Sequence, residues 1–110
     1  MSREIGDQDG EAYALVNLGD LSLRQGRYQQ AGRYLREALA LCRRRGDRPG
    51  EAAALAGLGE ADLRVHRYDA AAMHLRQALT LAREVGARSS EADALSLLGE
   101  LSRAVGDDAP

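Results

Sequence analysis

Apolar and small residues recur along this chain at the spacing of amphipathic helices. Leu15 and Leu18 in one segment, and Ala31, Leu35 and Leu39 in the next, lie three or four residues apart and therefore share one helical face. Polar and charged residues fill most of the positions between them. The pattern continues along the chain and predicts five helices, over residues 8–25, 28–44, 48–65, 68–84 and 89–104.

The same pattern returns every forty residues, so that Leu18 is matched by Leu58 and Leu98, and Ala31 is matched by Ala71. A fixed period of this length is typical of helical arrays, in which each unit is a helix pair that packs on its neighbours. We therefore expect an all-α fold, a superhelix of antiparallel helix pairs that forms a single array over residues 1–110. Its units are 6–45, 46–85 and a partial third unit, 86–110.

Residues that favour turns and helix caps stand between the predicted helices. Gly26 lies between the two helices of the first unit, and His66 takes its place in the second. The residue just beyond a helix end often adopts a left-handed conformation, which glycine tolerates best. We therefore expect the same turn at His66, but a less stable one than at Gly26. Between units, Asp47 is the candidate helix cap, and Ser89 and Ser90 are the candidates in the third unit.

The composition favours helices over strands. Hydrophobic residues make up 45% of the chain, with no Phe, no Trp, four Tyr and two Pro. Ala and Leu, which dominate the apolar residues, lead the helix propensities, whereas the aromatic and β-branched residues that favour strands are scarce. An all-β fold is therefore excluded.

Charge and cysteine content limit the classes of partner. The chain has 15 basic residues, all of them Arg, against 17 acidic residues, for a formal net charge of −2. A nucleic-acid-binding segment normally carries a basic excess, so we expect no nucleic acid to bind here. The chain contains no apolar run of the roughly 20 residues that span a bilayer, and we expect no membrane partner. The single cysteine, Cys42, cannot form an internal disulfide and is typical of a cytoplasmic protein.

The sequence contains no strong catalytic, metal-binding or cofactor-binding motif. His66 and His74 fall in a turn and in a second helix, and neither has cysteine or carboxylate neighbours at metal-ligand spacing. Cys42 is matched by Ala82 one repeat later, which indicates a small packing residue rather than a nucleophile. We therefore expect no metal, no cofactor and no enzymatic activity.

The repeated positions resemble the tetratricopeptide repeat family. In the first unit Gly19 stands at the family's small residue of the first helix, Ala31 at its signature alanine and Leu35 at a large apolar position. The other matching positions are Leu15, Leu18, Tyr28 and Ala38, then Leu55, Leu58, Gly59, Tyr68, Ala71, Leu75 and Ala78, and finally Leu95, Leu98 and Gly99. The forty-residue unit resembles the long variant of kinesin light chains, Pins-type scaffolds and bacterial regulators. This resemblance implies a non-enzymatic protein-interaction module within a larger bacterial regulatory protein.

The resemblance also implies a binding groove, because the first helices of such repeats line the concave face. The residues that would line it are Tyr13, Val16, Asn17, Asp20, Leu23 and Arg24, then Ala53, Ala56, Gly57, Glu60, Leu63 and Arg64, and then Asp93, Ser96, Leu97, Glu100 and Arg103. One interpretation is a polar ladder that orients a peptide. The other is a solvated face, on which Asp20–Arg24 and Glu60–Arg64 are ordinary pairs worth about 0.2–0.5 kcal/mol. An acidic peptide terminus is disfavoured because Asp20 and Glu60 stand where a carboxylate-binding repeat needs basic or amide groups.

The ends of the chain suggest an alternative function. Ser2–Ile5 aligns with Ala82–Val85, so these residues are expected to be the tail of a preceding second helix, and 106–110 falls at the turn position of the third unit. The last helix, with Leu95, Leu98 and Leu101, would then lie partly uncovered in a monomer. The alternative is therefore a structural module that oligomerises, or exchanges helices, through its open ends.

Overall fold

A computed structural model describes the backbone of residues 2–108 and the side chains of residues 10–106. This part of the chain is five α-helices with no strand. They are α1 (Ser2–Arg24), α2 (Tyr28–Arg45), α3 (Arg48–Arg64), α4 (Tyr68–Val85) and α5 (Arg88–Asp108). Each helix packs on the next across a turn of two or three residues, and α1 and α5 both also contact α3. The predicted all-α superhelix of helix pairs is confirmed.

The turns form as the repeat predicts. Gly26, Gly46 and Gly86 adopt positive φ of 77°, 71° and 71°, and His66 adopts 66° at the equivalent place. The backbone N–H of Arg67 then donates to the Asp62 carbonyl oxygen at 2.8 Å, which closes the turn as in the first unit. His66 therefore makes the glycine turn despite its Cβ, at a conformational cost of about 1 kcal/mol.

The predicted cap at Asp47 is present, whereas the predicted serine caps are not. The Asp47 carboxylate accepts a hydrogen bond from the Gly50 backbone N–H at 3.0 Å. In the third unit α5 already begins at Arg88, so Ser89 and Ser90 lie inside its first turn. The prediction of serine caps was wrong because the left-handed turn at Gly86 starts the helix one residue after Ala87.

Large and small residues alternate through the core. Leu35, Leu55 and Leu75 are each at most 2% exposed. Leu35 of α2 lies between Gly19 of α1 and Gly57 of α3, where an added Cβ would come within 2.6 Å and 2.9 Å of its side chain. The missing side chains at the two glycines therefore let three helices approach one leucine.

The predicted breaks near the two ends of the array were wrong. Helix α1 runs without interruption from Ser2 through Gly6, so the Ser2–Ile5 segment is not a separate tail. Helix α5 passes through Gly106 to Asp108, so the turn expected over 106–110 is helix as far as Asp108; 109 and 110 lie outside the described residues. A glycine inside a helix costs only about 1 kcal/mol, and neither of these glycines adopts the positive φ that closes the other turns.

Apolar side chains are exposed on both end faces of the described array. On α1, Leu18 is 41% exposed and Leu21 is 50% exposed, whereas the equivalent Leu58 and Ala61 are buried against α2. On α5, Leu95 is 46% exposed. These faces are open because no helix of the described chain covers α1 or α5 there as α2 covers α3.

One residue predicted for the open end is not on it. Leu101 is only 6% exposed and packs with Leu63, Leu75 and Leu97. Leu98 is partly buried against the same cluster. The prediction for Leu101 was wrong because its side chain points back toward α4, and Leu95 is the member of the predicted set that is exposed.

Candidate partner-binding groove

The first helices of the three units, α1, α3 and α5, lie side by side and enclose one groove. Its cavity has a volume of about 310 Å³. The residues that line it are Asp20, Leu23, Arg24, Glu60, Arg64, Asp93, Ser96, Leu97 and Glu100. All nine belong to the set that the repeat register predicts, so the structure brings the middle part of the predicted groove together.

The groove is unevenly charged. Four of its lining residues are carboxylates and two are arginines, so its formal charge is two minus four, or −2. Leu23 and Leu97, exposed by 9% and 8%, supply a buried apolar floor. The groove therefore combines an acidic rim with a small apolar base.

Arg64 is the central charge of the groove. Its Nη1 donates to Oε2 of Glu100 on α5 at 2.9 Å, and its Nη2 lies 3.5 Å from Oε2 of Glu60 on α3. The hydrogen bond to Glu100 raises the pKa of the Arg64 guanidinium, so this cation is held in place. The Glu60–Arg64 pair was predicted, whereas the bond to α5 was not.

Two of the groove carboxylates, Asp20 and Glu60, have a pKa above the ordinary value of their side chain. Burial raises the pKa of Asp20, and Asp93 adds to the rise although Arg24 opposes it. Burial likewise raises the pKa of Glu60, against the opposing effect of Arg64. Within the described residues Asp20 forms no ion pair with Arg24. These carboxylates would therefore gain from a cation brought in from outside.

The other predicted groove residues lie elsewhere. Ala56 and Leu63 are each 5% exposed and belong to the core, so they are not accessible to a partner. Tyr13 and Val16 line a separate small cavity of about 30 Å³ that also reaches Cys42. Ala53 lines the same small cavity, and Gly57 is buried against Leu35. Asn17 and Arg103 are exposed on α1 and α5, outside the groove cavity.

A sequence signal for the missed bond exists. Arg64 and Glu100 are 36 residues apart, which is one repeat less one helical turn. Arg48 and Glu84 pair at the same separation. Opposite charges at this spacing therefore indicate ion pairs between different helices, which join two first helices at Arg64–Glu100 and the two helices of one unit at Arg48–Glu84.

Two other kinds of site are absent from the described residues. They contain no group of three or more His, Cys, Asp or Glu side chains that could hold a metal ion. None of the helices in this part of the chain combines the length and apolarity needed to cross a membrane.

The fold and the groove together define a helical-repeat protein whose first helices share one concave surface. The family model of the tetratricopeptide repeat matches residues 10–84. The chain therefore belongs to the tetratricopeptide repeat family, whose members generally mediate protein–protein interaction. A comparison with curated proteins finds no match.

Proposed function

We propose that this chain is a non-enzymatic interaction module whose concave groove binds a peptide or an exposed segment of a partner domain. The single observation that carries the proposal is the cavity of about 310 Å³ between α1, α3 and α5, lined by charged side chains over an apolar floor. The arrangement of Asp20 and Glu60 in this cavity supports the proposal, because partial burial raises the pKa of both carboxylates.

The partner segment carries a lysine or an arginine. Asp20 and Asp93 lie on opposite walls of the groove, on α1 and α5, and neither has an ion-pair partner in the described part of the chain. A cation placed between them would relieve their mutual repulsion, whereas an anion would increase it. This preference agrees with the expectation that an acidic peptide terminus does not bind here.

The cellular setting follows from the resemblance rather than from the groove. The arginine-rich, lysine-free repeats of forty residues are similar to those of bacterial regulatory proteins, and we propose that the array is the partner-docking arm of such a protein. The single Cys42 is consistent with a cytoplasmic location.

Selection from a random peptide library on the immobilised wild-type chain tests the groove directly, because it requires no natural partner. The enriched peptides are then measured against Asp20→Asn, Asp93→Asn and the double variant by fluorescence anisotropy. We expect the enriched peptides to contain lysine or arginine. Their affinity should fall roughly tenfold for each carboxylate that they engage.

The matched control removes two carboxylates outside the groove, by Glu11→Gln and Glu37→Gln, both of which are exposed. The control should bind the selected peptides as wild type does. Peptides that bind the groove variants and the control equally well would show that the ligand docks elsewhere, and the groove proposal would be wrong.

A second candidate function is self-assembly, which the exposed end faces favour. Leu21 on α1 and Leu95 on α5 are 50% and 46% exposed, and they lie at opposite ends of the array. Contacts between two different faces would add copies end to end. Analytical ultracentrifugation at high micromolar concentration should then show species above the monomer, which Leu21→Glu or Leu95→Glu should abolish. A wild-type chain that sediments only as a monomer would eliminate this candidate.

A further inference from the structure

A second groove lies between α2, α3 and the start of α4, and it shares no residue with the concave groove. Its cavity has a volume of about 320 Å³. We call it the arginine groove, and we define it by Arg33, Arg36 and Arg67 on its rim and by Leu58, Ala61 and Val65 on its floor.

The positive charge of the arginine groove is not neutralised by the side chains that the structure describes. Arg33, Arg36 and Arg67 are exposed, and none has an ion pair or a hydrogen bond to another side chain in the described residues. The carboxylate on the cavity wall, Asp62, is already engaged, because its Oδ2 lies 2.6 Å from Nδ1 of His74. Three guanidinium groups therefore face the cavity with their donors available to a ligand.

The next unit contains the same cavity without the same charge. It has a volume of about 340 Å³ and is lined by Tyr68, Arg76 and Leu98, which are the counterparts of Tyr28, Arg36 and Leu58. The fold thus produces the shape twice. Two of the three arginines are a feature of one copy only, because Met73 stands at the position of Arg33 and Asp107 at that of Arg67, whereas Arg36 is matched by Arg76.

Two smaller differences also make the arginine groove better suited to an anionic ligand than its counterpart. Gln29 lines the arginine groove, whereas its counterpart Asp69 places a carboxylate in the other cavity. Gly32 leaves room for the Arg36 side chain, whose Nη1 would lie 3.3 Å from an added Cβ at residue 32. The counterpart of Gly32 is Ala72, which has that Cβ. Helix packing does not require this set of residues, since the second copy of the groove forms without it.

We propose that the arginine groove is a second binding site, which takes an acidic segment of a protein that carries carboxylates on both sides of an apolar side chain. Guanidinium groups bind carboxylates through paired, charge-assisted hydrogen bonds, and the arginines of α2 line the same cavity as Arg67. The apolar side chain of the ligand lies on the floor, where Val65 is 40% exposed beside the buried Leu58 and Ala61.

The floor distinguishes a protein segment from a small anion. Inorganic phosphate would use the arginines but would leave Val65 in water. A segment with an apolar residue between its carboxylates uses both the rim and the floor, so its affinity is expected to exceed that of an anion of equal charge.

The test uses a fluorescein-labelled peptide of alternating Glu and Leu residues, with a Glu/Ser peptide of equal charge and a Lys/Leu peptide as comparisons. We expect the Glu/Leu peptide to bind the wild-type chain, with an affinity that falls as salt is added. The double variant Arg33→Met, Arg67→Asp copies the residues of the next unit and should bind it at least tenfold more weakly. Because Arg33 and Arg67 are both exposed, the variant is expected to fold.

Two further variants complete the test. Arg44→Met removes an exposed arginine of α2 outside the groove and should bind as wild type does. The reciprocal variant Asp69→Gln, Met73→Arg removes a carboxylate from the second cavity and adds a second arginine beside Arg76, so it should raise the number of peptides bound per chain.

Three outcomes would overturn the proposal. The first is equal binding of the Glu/Leu peptide to the wild type and to the double variant. The second is binding of the Lys/Leu peptide that depends on Arg33 and Arg67 and is tighter than that of the Glu/Leu peptide. The third is displacement of the Glu/Leu peptide by phosphate, with phosphate binding as tightly as the peptide does. Each of them is judged by the effect of the Arg33→Met, Arg67→Asp variant, whereas the concave groove is tested by variants of Asp20 and Asp93. The two proposals can therefore fail separately.

Discussion

Leu75 of α4 lies directly over Gly59 of α3, so closely that a Cβ added at residue 59 would lie 2.5 Å from both Cγ and Cδ2 of the leucine. Leu75 is fully buried, and the neighbouring backbone N–H of the same residue would be 3.4 Å away. The two helices of the second unit are therefore held at a separation that only glycine at residue 59 permits.

Gly59→Ala is expected to destabilise the chain. The added methyl group must displace a packed leucine, and overpacking of this kind costs about 1–3 kcal/mol, which exceeds the roughly 1 kcal/mol gained from the better helix propensity of alanine. The free energy of unfolding, measured by urea denaturation, should fall. Gly99→Ala is the matched control, because no other group lies within 4 Å of its added Cβ. That variant should be as stable as wild type or more stable, and a loss at residue 99 as large as at residue 59 would contradict the packing explanation.

His66→Gly is expected to stabilise the turn between α3 and α4. His66 has a φ of 66°, which costs a residue with a Cβ about 1–2 kcal/mol relative to glycine. Part of that gain is offset, because the His66 ring contacts Tyr68 and its Nδ1 lies 2.7 Å from the Tyr68 hydroxyl. A net rise in melting temperature is the expected result. The converse change in the first unit, Gly26→His, introduces the same strain and should lower it.

Changes at Asp47 should separate helix capping from the control of Cys42. Burial raises the pKa of the Cys42 thiol to about 11, and the charge of Asp47, with its Oδ2 3.8 Å from the sulfur, adds to that rise. Asp47→Asn keeps a capping oxygen and removes the charge, so the thiol pKa should fall and alkylation by iodoacetamide at mildly alkaline pH should become several-fold faster. Asp47→Ala also removes the cap to Gly50 and should lose about 1 kcal/mol of stability. Equal alkylation rates in wild type and Asp47→Asn would show that the charge of Asp47 does not control the thiol.

Glu60 of the concave groove should make the chain more stable at mildly acidic pH than at neutral pH. Burial raises the pKa of Glu60 above its ordinary value of 4.5, so the folded chain holds this proton at a pH where the unfolded chain has lost it. Protonation of Glu60 therefore stabilises the folded chain as the pH falls from neutral toward 4.5. That stabilisation is lost when the pH rises through the pKa of Glu60 in the folded state. Glu60→Gln should be more stable than wild type at neutral pH, with an advantage that shrinks on acidification.

Exposed Glu37→Gln provides the reference for this comparison. The difference between wild type and Glu60→Gln is measured by urea denaturation at several pH values. A difference that stays constant with pH, or that matches the Glu37→Gln difference, would contradict a burial effect at Glu60.

The fold could be predicted from the sequence because the information for it is local and repeated. Gly26, Asp47 and the recurring Leu18, Leu58 and Leu98 specify turns, caps and helix faces through interactions between near neighbours. The wrong predictions of turns concern α1 and α5, the first and last helices of the described array. Gly6 and Gly106 resemble turn residues in the alignment, yet α1 and α5 run through both of them.

The candidate groove was only partly predictable. The register placed Asp20, Glu60 and Glu100 on one face, since equivalent residues of successive first helices point in the same direction. It could not show that Leu63 is covered by the α4–α5 cluster, because burial depends on the rotation and separation of helices that are distant in sequence.

The sequence by itself determined the class of fold, the helix pairs and the family, because periodic apolar positions and turn residues act over a few residues and recur forty residues apart. The tertiary structure alone decided which charges meet. Arg64 bridges two first helices to reach Glu100, and Arg67 lines the same cavity as Arg33 from the turn between α3 and α4. These contacts depend on distances of a few ångströms between separate helices, which are set by how closely side chains such as Leu75 can approach a glycine.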